Sequence, residues 1–379
     1  MRLSRERRRD VAVAGWWVGT RVALAAFVLL AAYLLRVDAA LRSRDAGRWL
    51  LERLTWWDTW HYVRIAERGY LPPGLPCCDQ AFFPGYPLLM RAVSPLTGGS
   101  VAVAGLLISL VAGAVTAALL WRVADLRAPG SGRDAVLLLA VAPFGVFLSA
   151  VYTESLFLAL ALGAWLAASR RRWWWAGALA AGTAAIRVNG LFLAAALGVM
   201  YLEQLRRDGR RRPRADVLAL AAPVAVVLAF FGYLAWRTGS LRAWQDAQTT
   251  GWVRHAAWPW EGLAAGWSAI RSAHAPDLVV SRWADLLAVL AGIALVVLLA
   301  RWRRWPEATY VALSVAVLVC STMLTSAPRY ALTWFPGYVV MAELLRRNGS
   351  GVPLRAVALA CLPLLGALSI AFAAHLWVA

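Results

Sequence analysis

Within seven residues the chain places Trp56, Trp57, Asp58, Trp60, His61 and Tyr62, a carboxylate and an imidazole set among four aromatic rings. If this segment is helical, Asp58, His61 and Tyr62 share one face by i, i+3 and i+4 spacing. Arg64 and Glu67 continue that face, and Gly69 with Pro72 and Pro73 ends the helix. A carboxylate held among tryptophans suits chemistry on a sugar, because aromatic faces pack sugar C–H surfaces while carboxylates and amides bind hydroxyls. The same spacing describes an amphipathic helix lying at a membrane interface with Asp58 as its N-cap. Periodicity alone leaves both readings open.

Other polar side chains sit at the ends of apolar stretches. They are Glu154 in SAVYTES (149–155), Arg187 and Asn189 in IRVNG (186–190), and Arg329 in TSAPRY (325–330). Ionisable groups at such positions are costly in lipid and usually line a cavity; each taken singly could also snorkel to the interface. Asp79 and Asp246 read as solvated loop carboxylates. His255 and His274 have no supporting neighbours, and His375 reads as an interface residue of the last span. The cysteines are Cys77, Cys78, Cys320 and Cys361. No CxxC or Cys/His spacing supports a metal site, so they read as incidental, with a Cys77–Cys78 disulfide left open.

The elements that must position these residues follow from composition. Hydrophobic residues are 61% of 379 and the mean hydropathy is +0.61, more apolar surface than a soluble core absorbs. The formal charge is +19 and all 39 basic residues are arginine, but the arginines fall in short runs between apolar stretches of about 20 residues, the length that crosses a bilayer. That excludes nucleic acid as a partner. Apolar segments lie at 14–36, 99–121, 134–150, 152–169, 173–187, 189–205, 215–236, 283–300, 306–325, 329–345 and 354–378. The first is too long for a signal-peptide core and is expected to be retained.

The positive-inside rule orients these segments. A cytoplasmic N-terminus puts about 23 arginines on inner connections and about 15 outside, most of the latter in two long loops at 37–98 and 237–282. Residues 134–169 and 173–205 each lie between arginine clusters on one side, so each crosses twice. The polar tips and both long loops then face outward. The expected fold is all-α integral membrane, about 11 transmembrane helices in one polytopic domain over 1–379. The short arms of 173–205 also point to a site. A transporter or lipid flippase is the rival class, but the halves show no internal repeat.

At this point the residues become specific. WWDTWHYVRIAERGY (56–70) with AFFPGYPLL (81–89) resembles the signature of the PIG-V-like membrane mannosyltransferases, a bacterial branch being suggested by the lysine-free chain. In order along the chain, SAVYTESLFLAL (149–160) is similar to the family's YTESLF segment and IRVNGL (186–191) to its R-x-N-G turn. TGSLRAWQDAQTTGW (238–252) is similar to its TG-AQ-W loop and APRY (327–330) to its late P-R-Y/F element.

The resemblance implies a GT-C glycosyltransferase in the cell membrane, with an extracytoplasmic catalytic aspartate and a polyprenyl-phosphate-mannose donor. Asp58 would be the catalytic base, and Arg329 and Arg187 the phosphate-binding groups. Trp57, His61, Tyr62, Glu154, Asn189, Gln248 and Trp252 would contact substrate, Glu154 through sugar hydroxyls or by orienting His61. No cofactor or metal is expected, because a monophosphate leaving group departs without one and no DxD motif is present. A glycolipid or glycan acceptor and a monomeric enzyme are expected. Another lipid-linked sugar remains the alternative within the class.

Overall fold

The computed structural model describes residues 2–71, 78–209, 212–347 and 352–378. Its helices in chain order are α1 (Arg2–Leu34), α2 (Ala39–Arg44), α3 (Ala46–Glu52), α4 (Thr59–Arg68), α5 (Gly85–Val93) and α6 (Val101–Arg127). Next come α7 (Gly132–Ala140), α8 (Glu154–Ser169), α9 (Trp173–Ile186), α10 (Gly190–Arg207), α11 (Ala222–Thr238) and α12 (Ala243–Trp252). The last are α13 (Pro259–Ser272), α14 (Pro276–Arg301), α15 (Trp305–Val319), α16 (Ala327–Leu332), α17 (Phe335–Arg347) and α18 (Val352–Ala373). No strand occurs among the described residues, only an isolated bridge between Ala256 and Ser321.

Five helical segments among the described residues are long and apolar enough to cross a membrane: Glu6–Leu34, Val101–Arg127, Ala215–Thr238, Pro276–Arg301 and Leu354–Ala373. The described residues are thus all-helical, as in an integral membrane protein. Two expected spans take a different form. The 134–150 stretch is not one helix: α7 stops at Ala140 and a 3-10 turn follows at Gly145–Leu148. Pro143, without an N–H, interrupts the ladder there. The 329–345 stretch divides between α16 and α17 for a related reason, since Pro336 suits a helix start better than a helix interior.

The chain forms two compact units. The first comprises residues 1–63, 90–162 and 335–378; the second comprises 64–89 and 163–334. In the first, α1 and α6 approach closely over small residues, as lipid-embedded helices do. A Cβ at Gly113 of α6 would lie 2.5 Å from Trp17 Nε1 of α1, while one at Gly105 would lie 2.5 Å from Val151 of the 149–155 tip. Arg21, buried on α1, donates to the Gly145 and Ala140 carbonyls, supplying partners where the α7 ladder is broken. Ser109 and Thr116 of α6 donate to the carbonyls of Tyr152 and Ser155. The polar tip 149–155 is therefore anchored from below by side-chain hydroxyls.

In the second unit, an aromatic cluster of Tyr70, Phe83 and Phe230 with Ile65, Val227 and Leu234 forms one core. The Trp244 indole of α12 donates to the Ala81 carbonyl at 3.2 Å, and the ring of Phe82 meets Trp252 at 5.5 Å. The second long loop is thus seated on the FFP segment of the first. The cysteines are not all incidental: Cys78 is disulfide-bonded, while Cys320 and Cys361 are free thiols.

Candidate active site

The expected helix forms as α4, with Asp58, in the first unit, immediately before it. The Asp58 carbonyl accepts from the amides of His61 and Tyr62 at 3.0 and 3.3 Å, so Asp58 stands at the N-cap position of α4. The positive end of the α4 dipole favours a carboxylate there. Asp58 and His61 are half-buried, and Tyr62 is buried with its ring edge-on to Tyr152 at 6.3 Å.

The residue before Asp58 is strained. Trp57 takes φ +57°, a left-handed conformation that costs a bulky residue roughly 1–3 kcal/mol and persists only where its surroundings fix it. One hydroxyl brackets it. Tyr152 donates to the Trp56 carbonyl at 3.0 Å and accepts from the Asp58 amide at 3.3 Å. Thr59 adds a bond to the Val151 carbonyl at 3.2 Å. Glu154, fully buried, opens α8 two residues beyond Tyr152, where helix-end N–H groups favour its negative charge. The WWD loop and the YTES tip are therefore one structure, and Tyr152, which spacing did not single out, joins them.

The second unit holds Arg187, Asn189, Gln248, Trp252 and Arg329. Arg187 caps α9 in extended conformation and lies over the Tyr330 ring, 5.0 Å from its centroid. Asn189, buried, precedes α10 without capping it. Gly190 is required in this turn: a Cβ there would lie 2.3 Å from the Ala184 backbone nitrogen. Arg329 is buried on α16, whose first amide, Ala327, donates to Asp285 at 2.8 Å.

Two further guanidinium groups converge on this segment, and the motifs did not reveal them. Arg254 donates to Thr325 at 3.2 Å and hydrogen-bonds the Tyr330 side chain. Arg282 lies 3.6 Å from Asp285 and donates to the Leu324 carbonyl at 3.4 Å. Arg187, Arg254, Arg282 and Arg329 thus gather around 324–330 with Asp285 among them, an arrangement suited to an anion. Gln248 and Trp252 lie on α12, half-buried. Asp246 is exposed as expected, whereas Asp79 is not the solvated carboxylate its loop position suggested. It is buried and accepts from Nη2 and Nε of Arg64, at 2.5 and 2.7 Å, which holds α4 to the segment 79–81.

Comparison with known proteins matches residues 34–232 to the mannosyltransferase (PIG-V) family. A GPI alpha-1,6-mannosyltransferase 2 of Mus musculus is 36% identical over 170 residues, 41% of this chain and 33% of that protein. A GPI mannosyltransferase 2 of Chaetomium globosum is 29% identical over 221 residues, 50% of this chain and 47% of that protein. The human GPI alpha-1,6-mannosyltransferase 2 is 35% identical over 153 residues, 38% and 30% respectively. The aligned part is less than half the length of these relatives. Asp58, Glu154, Arg187 and Asn189 fall inside the family match, and Gln248, Trp252 and Arg329 beyond it. With more than half of its residues matched, and with the WWD loop and YTES tip folded onto each other, the chain belongs to the mannosyltransferase (PIG-V) family.

Proposed function

We propose that this protein transfers a mannosyl residue, with inversion, from polyprenyl-phosphate-mannose to a glycolipid or other cell-envelope acceptor at the extracytoplasmic face of the cell membrane. The observation that carries this reading is the placement of Asp58. It stands at a helix start beside a strained tryptophan, with its amide fixed by Tyr152. A group held this way keeps its geometry as charge develops in the transition state.

In the proposed step the acceptor hydroxyl oxygen attacks the anomeric carbon and its proton passes to the Asp58 carboxylate. The bond from the anomeric carbon to the phosphate oxygen breaks, and polyprenyl phosphate leaves with the bonding pair. Its departure needs no general acid, because the leaving oxygen remains a phosphate anion. Arg187 and Arg329, with Arg254 beside them, pair with that anion through directed N–H donors. Glu154 and Asn189 bind sugar hydroxyls, and Gln248 and Trp252 contact the sugar or the acceptor. No metal takes part.

Purified protein supplied with polyprenyl-phosphate-[¹⁴C]mannose and extracted membrane lipids, in the presence of EDTA, should form a labelled glycolipid. Asp58→Asn should reduce transfer by about 10³-fold or more, the scale of losing a positioned base, while accumulating normally in the membrane. Wild-type turnover in that variant would reject the base assignment. Movement of the donor across the bilayer without glycoside formation would instead favour a flippase.

A further inference from the structure

Helix α18 ends at Ala373, and the residues after it fold back onto the loop that carries Asp58. His375 has φ +65°. Its amide donates to the Phe372 carbonyl, and the Leu376 amide to the Ala371 carbonyl, a left-handed helix stop of the Schellman kind. That stop lays the His375 ring flat on Trp56, with centroids 3.6 Å apart and planes 9° apart. It also sets Trp377 edge-on to Trp57 at 4.8 Å and 87°.

Arg53 locks the base of this contact. Fully buried, it donates to the Ala373 carbonyl at 2.9 Å, to Asp38 at 2.6 Å and to the Trp49 carbonyl at 3.3 Å. His375 Nδ1 lies 3.7 Å from the same Asp38 oxygen. Burial and the neighbouring Arg53 lower the His375 pKa, against smaller opposing pulls from Asp38 and Glu52. The ring is therefore neutral near pH 7.

We propose that residues 374–378 form a strap that positions Asp58, with His375 and Trp377 as positioning residues acting through Trp56 and Trp57. The physical need is the strain at Trp57. Tyr152 fixes the two peptides flanking that residue, but nothing in those bonds holds the indole, and a left-handed tryptophan released from its contacts relaxes to negative φ. That rotation re-aims the next residue, which is Asp58. The strap lies outside the matched span 34–232, so it is a feature of this chain rather than of the matched region.

The proposal rests on Asp58 as the base, and the test separates the two. His375→Gly eases the left-handed turn but removes the stacking ring; His375→Phe keeps a ring; Trp377→Ala removes the edge contact. Each is made in the full-length protein. Transfer is measured at varied concentrations of polyprenyl-phosphate-mannose, and backbone amide exchange is followed over residues 54–62. Expected for His375→Gly and Trp377→Ala is a fall in kcat of about tenfold or more, the scale of a small misplacement. Donor KM should stay within about twofold, and amide exchange at 54–62 should quicken by about tenfold.

His375→Phe should stay within about threefold of wild type on both measures. Unchanged kcat or unchanged exchange in His375→Gly overturns the strap. If the wild type transfers nothing, the mannosyl-transfer reading fails and exchange alone decides the strap: faster exchange in His375→Gly upholds the positioning contact, and unchanged exchange rejects it. Should Trp377→Ala fail to accumulate, the His375 pair decides.

Discussion

The hydroxyl of Tyr152 meets the backbone on both sides of Trp57, accepting from one peptide and donating to another. Its ring is also packed, against Phe147, Tyr62 and Phe372 at 4.9 to 6.3 Å, so deleting the oxygen alone leaves the ring in place. Tyr152→Phe should therefore accumulate like wild type. It should lose about tenfold or more in kcat, because two hydrogen bonds worth about 1 kcal/mol each no longer oppose relaxation at Trp57. Steady-state transfer at saturating donor checks this, and an unchanged kcat would remove Tyr152 from the positioning of Asp58.

At this scale the sequence was informative where chemistry is local. The i, i+3, i+4 spacing placed Asp58, His61 and Tyr62 about one helix start, as they are found. The bond between Tyr152 and Asp58 spans 94 residues, and in one sequence a tyrosine in an apolar tip reads as packing. The left-handed φ of Trp57 is hidden for the same reason, since distant contacts hold it. Arg254, 71 residues from its partner Thr325, carried no motif of its own.

Among the elements, the turn between α9 and α10 is where sequence and geometry agree most closely. R-x-N-G puts Arg187 in extended backbone at the end of one helix and Gly190 at the start of the next. The helices are short: α9 has 14 residues, about 21 Å at 1.5 Å per residue, less than a hydrocarbon core of about 30 Å. Its end is thus set below a full crossing, and Gly190 makes that possible by allowing backbone contact with Ala184. Gly190→Ala has no flexible side chain to displace, since the nearest atoms are the Ala184 nitrogen and Cα at 2.3 and 2.4 Å. An overpacking cost of about 1–3 kcal/mol should lower the melting temperature in detergent by roughly 3–10 °C. An unchanged melting temperature would show that this turn has slack.

The α7 stretch shows the opposite relation, because its apolar composition suggested a continuous span while Pro143 ended the helix. Hydropathy registers burial in lipid but not the backbone ladder, and the compensating donor, Arg21, lies more than a hundred residues upstream.

On the scale of the whole molecule, charge and hydropathy are the quantities the sequence displays most openly, and five helices meet the length and composition for crossing. What composition does not fix is which face each loop occupies, because the positive-inside rule counts short loops while two of the outward assignments are long. The proposed orientation puts the 237–282 loop outside and the 206–214 arginine run inside. Leu241, 84% exposed, and Arg207, at the end of α10, report on the two sides. The free thiols Cys320 and Cys361 are first changed to serine, and Cys78 is already held in a disulfide, so that background should take up little maleimide. Leu241→Cys in it should react with a membrane-impermeant maleimide on intact cells. Arg207→Cys should react only after permeabilisation. The reverse pattern would turn the 237–282 loop toward the cytoplasm, and a lipid-linked donor used outside could not then meet Gln248 and Trp252. The two labels thus decide whether the proposed chemistry has access to its substrate, independently of any activity measurement.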